Sequence, residues 1–163
     1  MGEMMRAAVL RKVGEVVLEE RPVPRPGPGE VLVRIRAVGV CGSDVHYFVD
    51  GRIGHFVVEQ PIILGHESAG EVAELGEGVE GLAVGDPVTI EPGWPCGRCA
   101  YCRSGRYNLC PDVFFLATPP DDGAFCDYLV VPADFAFKLP QGMSLAQGAM
   151  MEPLAVGVHA VRR

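Results

Sequence analysis

Short apolar runs, each about the length of a β-strand and broken by glycine or proline, recur along most of the chain. Over residues 31–40, Val31, Val33, Ile35 and Ala37 fall on one face and Arg34 and Arg36 on the other, the period-two pattern of a strand with one face inward. The same reading predicts strands over 7–10, 16–20, 62–64, 71–75, 88–91, 125–131 and 135–138. Pro22, Pro24, Pro26 and Pro28 make an extended connection, because proline fixes its own φ and pushes its predecessor out of the helical region. Helical character is expected only late, over 145–149 and from Pro153 onward. No stop signal closes that last pattern, so the expectation is a helix that runs on in a longer polypeptide.

Length and composition narrow the class. With 163 residues, and domains usually taking ~100–200, one domain over 1–163 is expected. Apolar residues make up 48% and charged residues 21%, close to ordinary globular usage, so neither disorder nor a membrane protein is suggested. The net charge of -7 opposes phosphate backbones, so no nucleic-acid partner is expected. No apolar run nears the ~20 residues that span a bilayer, and the opening residues lack a secretory pattern. A cytoplasmic protein with no membrane partner is the expectation.

Six cysteines could form three disulfides, but four of them fall within fifteen positions. Cys96, Cys99, Cys102 and Cys110 are separated by two, two and seven residues in a glycine- and proline-rich stretch, a spacing that favours metal over cross-links. Zinc takes four thiolates tetrahedrally and leaves no open position, so a structural zinc lobe over about 91–111 is expected. Cys110-Pro111 echoes the Cys-Pro ending of a bacterial ferredoxin motif, but that motif has a final gap of about three residues, where this chain has seven. A zinc-ribbon nucleic-acid module sits badly with the acidic charge.

A second set is dispersed. Cys41-Gly42-Ser43-Asp44 follows one predicted strand, with Ser43 a candidate N-cap, and Gly65-His66-Glu67 follows another. Two strand ends of this kind can converge. Singly, Cys41 reads equally as core filler, His66 as a hydrogen-bonded histidine and Glu67 as a solvated charge.

Taken together, Gly65-His66-Glu67 followed by Gly70, Gly76 and Val79, the Cys41-Gly42-Ser43-Asp44 stretch and the four-cysteine lobe resemble the zinc-dependent medium-chain alcohol dehydrogenases. The resemblance runs from Ala7 to Arg163. It implies a mainly β fold, a GroES-like partly open β-barrel with a zinc lobe, short helices and a C-terminal helix. It also implies two zinc ions, one structural and one catalytic, with NAD or NADP as cofactor. Where liver-type enzymes place a second cysteine, this chain has Glu152, within Met151-Glu152-Pro153. That is similar to the sorbitol and xylitol dehydrogenase branch, as are Val45-His46-Tyr47, Gly51-Arg52-Ile53-Gly54, Arg106-Tyr107-Asn108-Leu109 and the stretch from Phe114 to Gly123.

In that branch Cys41, His66 and Glu67 correspond to the catalytic zinc ligands, with Glu152 acting through a water. Ser43 corresponds to the first proton carrier, and His46 to an outward relay, a role suited to a side chain that titrates near neutrality. Tyr47 and Phe115 are candidates to line the substrate cleft, Tyr47 ahead of Phe115, though either reads equally as aromatic core. His55, His159 and Cys126 read as structural. The implied substrate is a small polyol, and a homo-oligomer is expected of a full-length form.

Gly76-Glu77-Gly78-Val79-Glu80-Gly81 matches the spacing of a dinucleotide-binding glycine motif, but Glu77 and Glu80 would repel a pyrophosphate and Gly85-Asp86-Pro87 interrupts any helix. It reads as a turn. With no room for two βαβαβ halves, the expectation is a dehydrogenase part that lacks its dinucleotide-binding domain and is weak or inactive alone. The competing expectation is a non-catalytic, zinc-stabilised GroES-like scaffold, which has no need of an open metal site.

Overall fold

Alternation and punctuation produce a chain of antiparallel strands, seen in a computed structural model that describes residues 2–162. Met1 and Arg163, the ends of the expected domain, lie outside the described residues. The strands are β1 (Met4–Lys12), β2 (Glu15–Pro22), β3 (Glu30–Val38), β4 (Arg52–Ile53), β5 (Phe56–Val57), β6 (Ile62–Ile63), β7 (Ser68–Leu75), β8 (Pro87–Ile90), β9 (Gly93–Trp94), β10 (Phe114–Phe115), β11 (Tyr128–Pro132) and β12 (Ala136–Lys138). The helices are α1 (Gly42–Asp50), α2 (Ala100–Arg103), α3 (Leu145–Ala149) and α4 (Met151–Val161).

A five-stranded sheet in the order β11-β3-β7-β8-β12 forms the frame, beside a three-stranded sheet β2-β1-β6 and two small two-stranded sheets, β4-β5 and β9-β10. A lone bridge between Ala7 and Cys126 links the two larger sheets without closing them into a barrel. The described strand pairings are all antiparallel, so these residues contain no βαβ unit.

The predicted strands appear with shifted ends. The 31–40 stretch stops at Val38, where Gly39 turns out of the sheet. Ladder pairing in 125–131 begins only at Tyr128, and Phe135 belongs to a 3-10 turn rather than to β12. Two local expectations are corrected. α1 is a nine-residue helix, and its N-cap is Cys41 rather than Ser43, which is the second helical residue. α4 begins at Met151, two residues ahead of Pro153, which still lies in the tolerated first turn.

Val31, Val33, Val72, Val88, Ile90, Leu116 and Val131 fill the core against the large sheet, and Leu10, Tyr47, Ile62, Leu64 and Ala117 form a second cluster beneath α1. What positions the site is the β3–β7 pairing. Val38 lies opposite Ser68 at the end of the ladder, so Cys41, three residues past Val38, and His66 and Glu67, just before Ser68, emerge at the same end of adjacent strands.

Candidate metal centres

The ligand atoms of Cys41, His66 and Glu67 all lie within 4.8 Å of one another. His66 and Glu67 are buried, at 8% and 9% exposure, and Cys41 is half-buried. Two close approaches make this possible. Gly65 has φ +88, a left-handed conformation that favours glycine, and a Cβ there would meet the Phe125 ring at 2.7 Å. Gly39 donates its N–H to the Glu67 carbonyl at 2.8 Å, and a Cβ on Gly39 would collide with the Glu67 carboxylate. Glycine at position 39 therefore makes room for the ligand side chain.

Asp44 is the polar group that single-residue reading passes over. Buried to 4% exposure, its carboxylate accepts the N–H of Cys41 through one oxygen and the N–H of Gly65 through the other, both at 2.9 Å. An acidic residue in the first turn, three past the N-cap, is the sequence signal that could have found it. Asp122 does similar work nearby by accepting the Ile63 N–H at 2.8 Å, while Gly123, Ala124 and Phe125 donate to the carbonyls of Ile63, Gly65 and Leu64.

The remaining candidates spread around this centre. Glu152, on α4, is half-buried, and burial holds its carboxyl above the ordinary range, with nearby Glu67 adding to the shift and His66 opposing it. It stands outside the 4.8 Å set. Phe115 faces the His66 ring at 5.8 Å between centroids and joins Glu152, Tyr107, Glu91, Met151 and His159 in lining a cavity of about 740 Å³. Tyr47 is buried in the second core cluster, where burial pushes its hydroxyl up, a hydrogen bond with Thr118 opposes that, and Asp44 adds to it. Of the two aromatics, Phe115 lines this cavity, while Tyr47 packs in the core.

Ser43 is half-buried, two residues past Cys41. His46 lies on the outer face of α1 at 67% side-chain exposure, its Nδ1 3.2 Å from the Asp50 carboxylate. Of the three residues read as structural, Cys126 donates to the Tyr128 carbonyl at 3.1 Å, while His55 and His159 are both exposed, His55 in a tilted pair with the Phe56 ring and His159 bordering the cavity.

The four lobe cysteines also bring their sulfurs within 4.8 Å of one another. Cys99 and Cys102 approach to 3.3 Å, and Cys96 donates its N–H toward the Cys110 sulfur at 3.4 Å. Backbone N–H groups of Arg98 and Cys99 draw the Cys96 thiol down to about 6, while desolvation and the neighbouring thiols push Cys102 up to about 12. A divalent cation bound among them favours the thiolate form of its cysteine ligands. The donor sets fit zinc at both places: four thiolates in a closed set, and a thiolate, an imidazole and a carboxylate in an open one.

A GroES-like frame carrying these two donor sets defines a zinc-dependent alcohol dehydrogenase fold. Residues 27–141 match the alcohol dehydrogenase GroES-like domain, and the chain belongs to that family. It is 54% identical over 159 residues to the sorbitol dehydrogenase of Bacillus subtilis, covering 98% of this chain and 45% of that one. Among solved structures, it superposes with TM-score 0.91 and 44% identity on an Escherichia coli oxidoreductase/dehydrogenase of unknown specificity, covering 98% of this chain and 47% of that one. A dehydrogenase from Sinorhizobium meliloti solved with NADP bound gives TM-score 0.87 and 37% identity, with 98% and 45% coverage. The chain thus spans about half the length of the relatives it matches. Among the described residues no helix is long and apolar enough to cross a membrane.

Proposed function

We propose that this chain is the metal- and substrate-handling domain, over 1–163, of a zinc-dependent polyol dehydrogenase. The reaction is oxidation of a secondary alcohol of a sorbitol- or xylitol-type polyol to a ketose, with NAD or NADP as hydride acceptor. The observation that carries this reading is the convergence of one thiol, one imidazole and one carboxylate within 4.8 Å, with a further carboxyl beside them. Three protein ligands leave a fourth tetrahedral position open, whereas the lobe's four thiols close theirs. Zinc supplies Lewis acidity that lowers the pKa of an alcohol hydroxyl, and the nicotinamide accepts the hydride.

This chain's residues supply the remainder. Cys41, His66 and Glu67 hold the metal, and Glu152 completes the polar shell through a water. Ser43 takes the alcohol proton first, and His46, open to solvent beside Asp50, passes it outward. Phe115 forms an apolar wall of the cavity next to His66, and Tyr47 supports the cleft from within the core.

Metal analysis tests the reading. Two zinc ions per chain are expected, and a single ion held by the cysteine lobe would sink the catalytic reading in favour of a scaffold. A polypeptide continuing past Arg163 to the relatives' length is expected to oxidise sorbitol or xylitol with a nicotinamide cofactor, and the 163-residue chain to do so weakly or not at all. Activity confined to simple primary alcohols refutes the polyol assignment.

A further inference from the structure

We infer that Asp44 is the positioning residue of the dispersed metal centre, a buried carboxylate that holds the two ligand-bearing turns at a fixed separation. The inference rests on the metal reading above. Cys41 supplies a thiol from the N-terminus of α1, and Gly65 immediately precedes His66, yet the two turns are 24 residues apart in sequence. Asp44 joins them directly, one oxygen accepting the Cys41 N–H and the other the Gly65 N–H, both at 2.9 Å. An ionised carboxylate is acceptor-only, so it satisfies both donors, and each bond is charge-assisted. The first turn of a helix also favours a negative side chain. On the far side of the centre the Gly39 N–H to Glu67 carbonyl bond ties the same two segments again. With the backbones fixed at both places, the ligand side chains start from set positions rather than from two mobile loops.

Asp44→Asn separates this role from simple packing. An amide of nearly the same shape has one acceptor oxygen, and its NH2 group cannot accept, so one of the two N–H groups faces a donor. Groups that orient metal ligands typically change affinity by about 10–100-fold when altered. Competition with a chromophoric chelator is therefore expected to show the dispersed site weakened about 10–100-fold and the lobe site unchanged. With zinc in the lobe and cobalt(II) in the dispersed site, the thiolate-to-cobalt absorption is expected to shift, a signature that a uniform loss of stability does not produce. In the unaltered protein, slow hydrogen exchange at the Cys41 and Gly65 amides is expected, and one of them turns fast in the variant.

Unchanged zinc affinity and cobalt absorption in Asp44→Asn overturn the inference. So does fast exchange at both amides in the unaltered protein, a measurement that decides the matter even if the variant fails to fold. An unaltered chain that takes up only one zinc defeats the metal reading itself. Two zincs in the unaltered chain and undiminished affinity in the variant defeat only the role of Asp44.

Discussion

Gly39→Ala puts a methyl group where the Glu67 side chain now lies. The new Cβ would stand 3.1 Å from Glu67 Cβ and 3.2 Å from Cδ, and would overlap the carboxylate. Rotating Glu67 about χ1 moves the carboxylate but not its Cβ, so the segment joined by the Gly39 N–H to Glu67 carbonyl bond at 2.8 Å must also spread by a few tenths of an ångström. Overpacking of this kind costs about 1–3 kcal/mol. Because the backbone at Gly39 is not left-handed, alanine also recovers about 0.4–1 kcal/mol through a less free unfolded chain. The net destabilisation is roughly 0–2.5 kcal/mol, read as the change in urea-derived stability. Loss of the carboxylate from the donor set is the larger effect. It is expected to weaken the dispersed site by about 100-fold, the upper end for outer groups, which is about 2.7 kcal/mol at 1.36 kcal/mol per tenfold. Chelator competition followed by metal analysis should find lobe zinc intact and dispersed-site zinc stripped. A variant that is measurably destabilised yet binds two zincs with undiminished affinity would refute the assignment of Glu67 as a ligand.

Three further outcomes follow from the geometry. In Cys102→Ser the lobe is expected to lose its zinc and residues 96–110 to become protease-sensitive while the five-stranded sheet persists, since Cys110 is the one buried residue in that stretch; a lobe as resistant as before contradicts a metal-held loop. Arg6 holds the Asp127 carboxyl below its ordinary range through side-chain hydrogen bonds of 3.1 and 3.0 Å. A depressed folded pKa contributes stability that is complete above the unfolded value of about 3.9 and disappears as pH falls through the lower folded one. The urea-midpoint gap between the unaltered protein and Asp127→Asn should thus be full at neutral pH and close in strong acid, and a gap constant down to pH ~2 contradicts the ion pair. In the longer polypeptide, Glu152→Gln is expected to lower polyol turnover by at least about tenfold, at the low end for an acid–base group, with two zincs still bound; undiminished turnover excludes Glu152 from the chemistry.

The strands were legible because apolar residues alternate over most of the sheet, and the lobe was legible because its four cysteines lie within fifteen positions. Strand ends were less so. Gly39 is followed by Val40, which hydropathy alone adds to β3, but the ladder ends where the Gly39 turn must meet Glu67. The length of α1 was hidden because Gly42 and the β-branched Val45 and Val49 are weak helix formers; its start is set by Asp44 and its end by left-handed Gly51 at φ 70. The placement of Tyr47 and Phe115 was hidden for a related reason: position in a helix or strand gives a face, and only the tertiary packing decides which face meets the core. Tyr47 falls among Leu10, Ile62 and Leu64, whereas Phe115 lies at the cavity edge.

The two metal centres stand in opposite relations to the fold. In the lobe the four cysteines are close in sequence, few apolar groups are buried, and closing so short a loop costs little entropy, so a metal bound there would organise the chain. In the dispersed set the fold does the gathering, because Cys41 and His66 are brought together by the β3–β7 ladder, the Asp44 bonds and the Gly39 N–H to Glu67 carbonyl bond. A one-residue slip in that ladder would turn alternate side chains to the opposite face and carry the ligands apart. The bulges at Leu32/Val33 and Ile35/Ala37 therefore matter chemically as well as structurally, since each shifts the register by which the strand ends are matched. The two backbone ties beside Cys41 and Glu67 hold those segments in place without a metal's help.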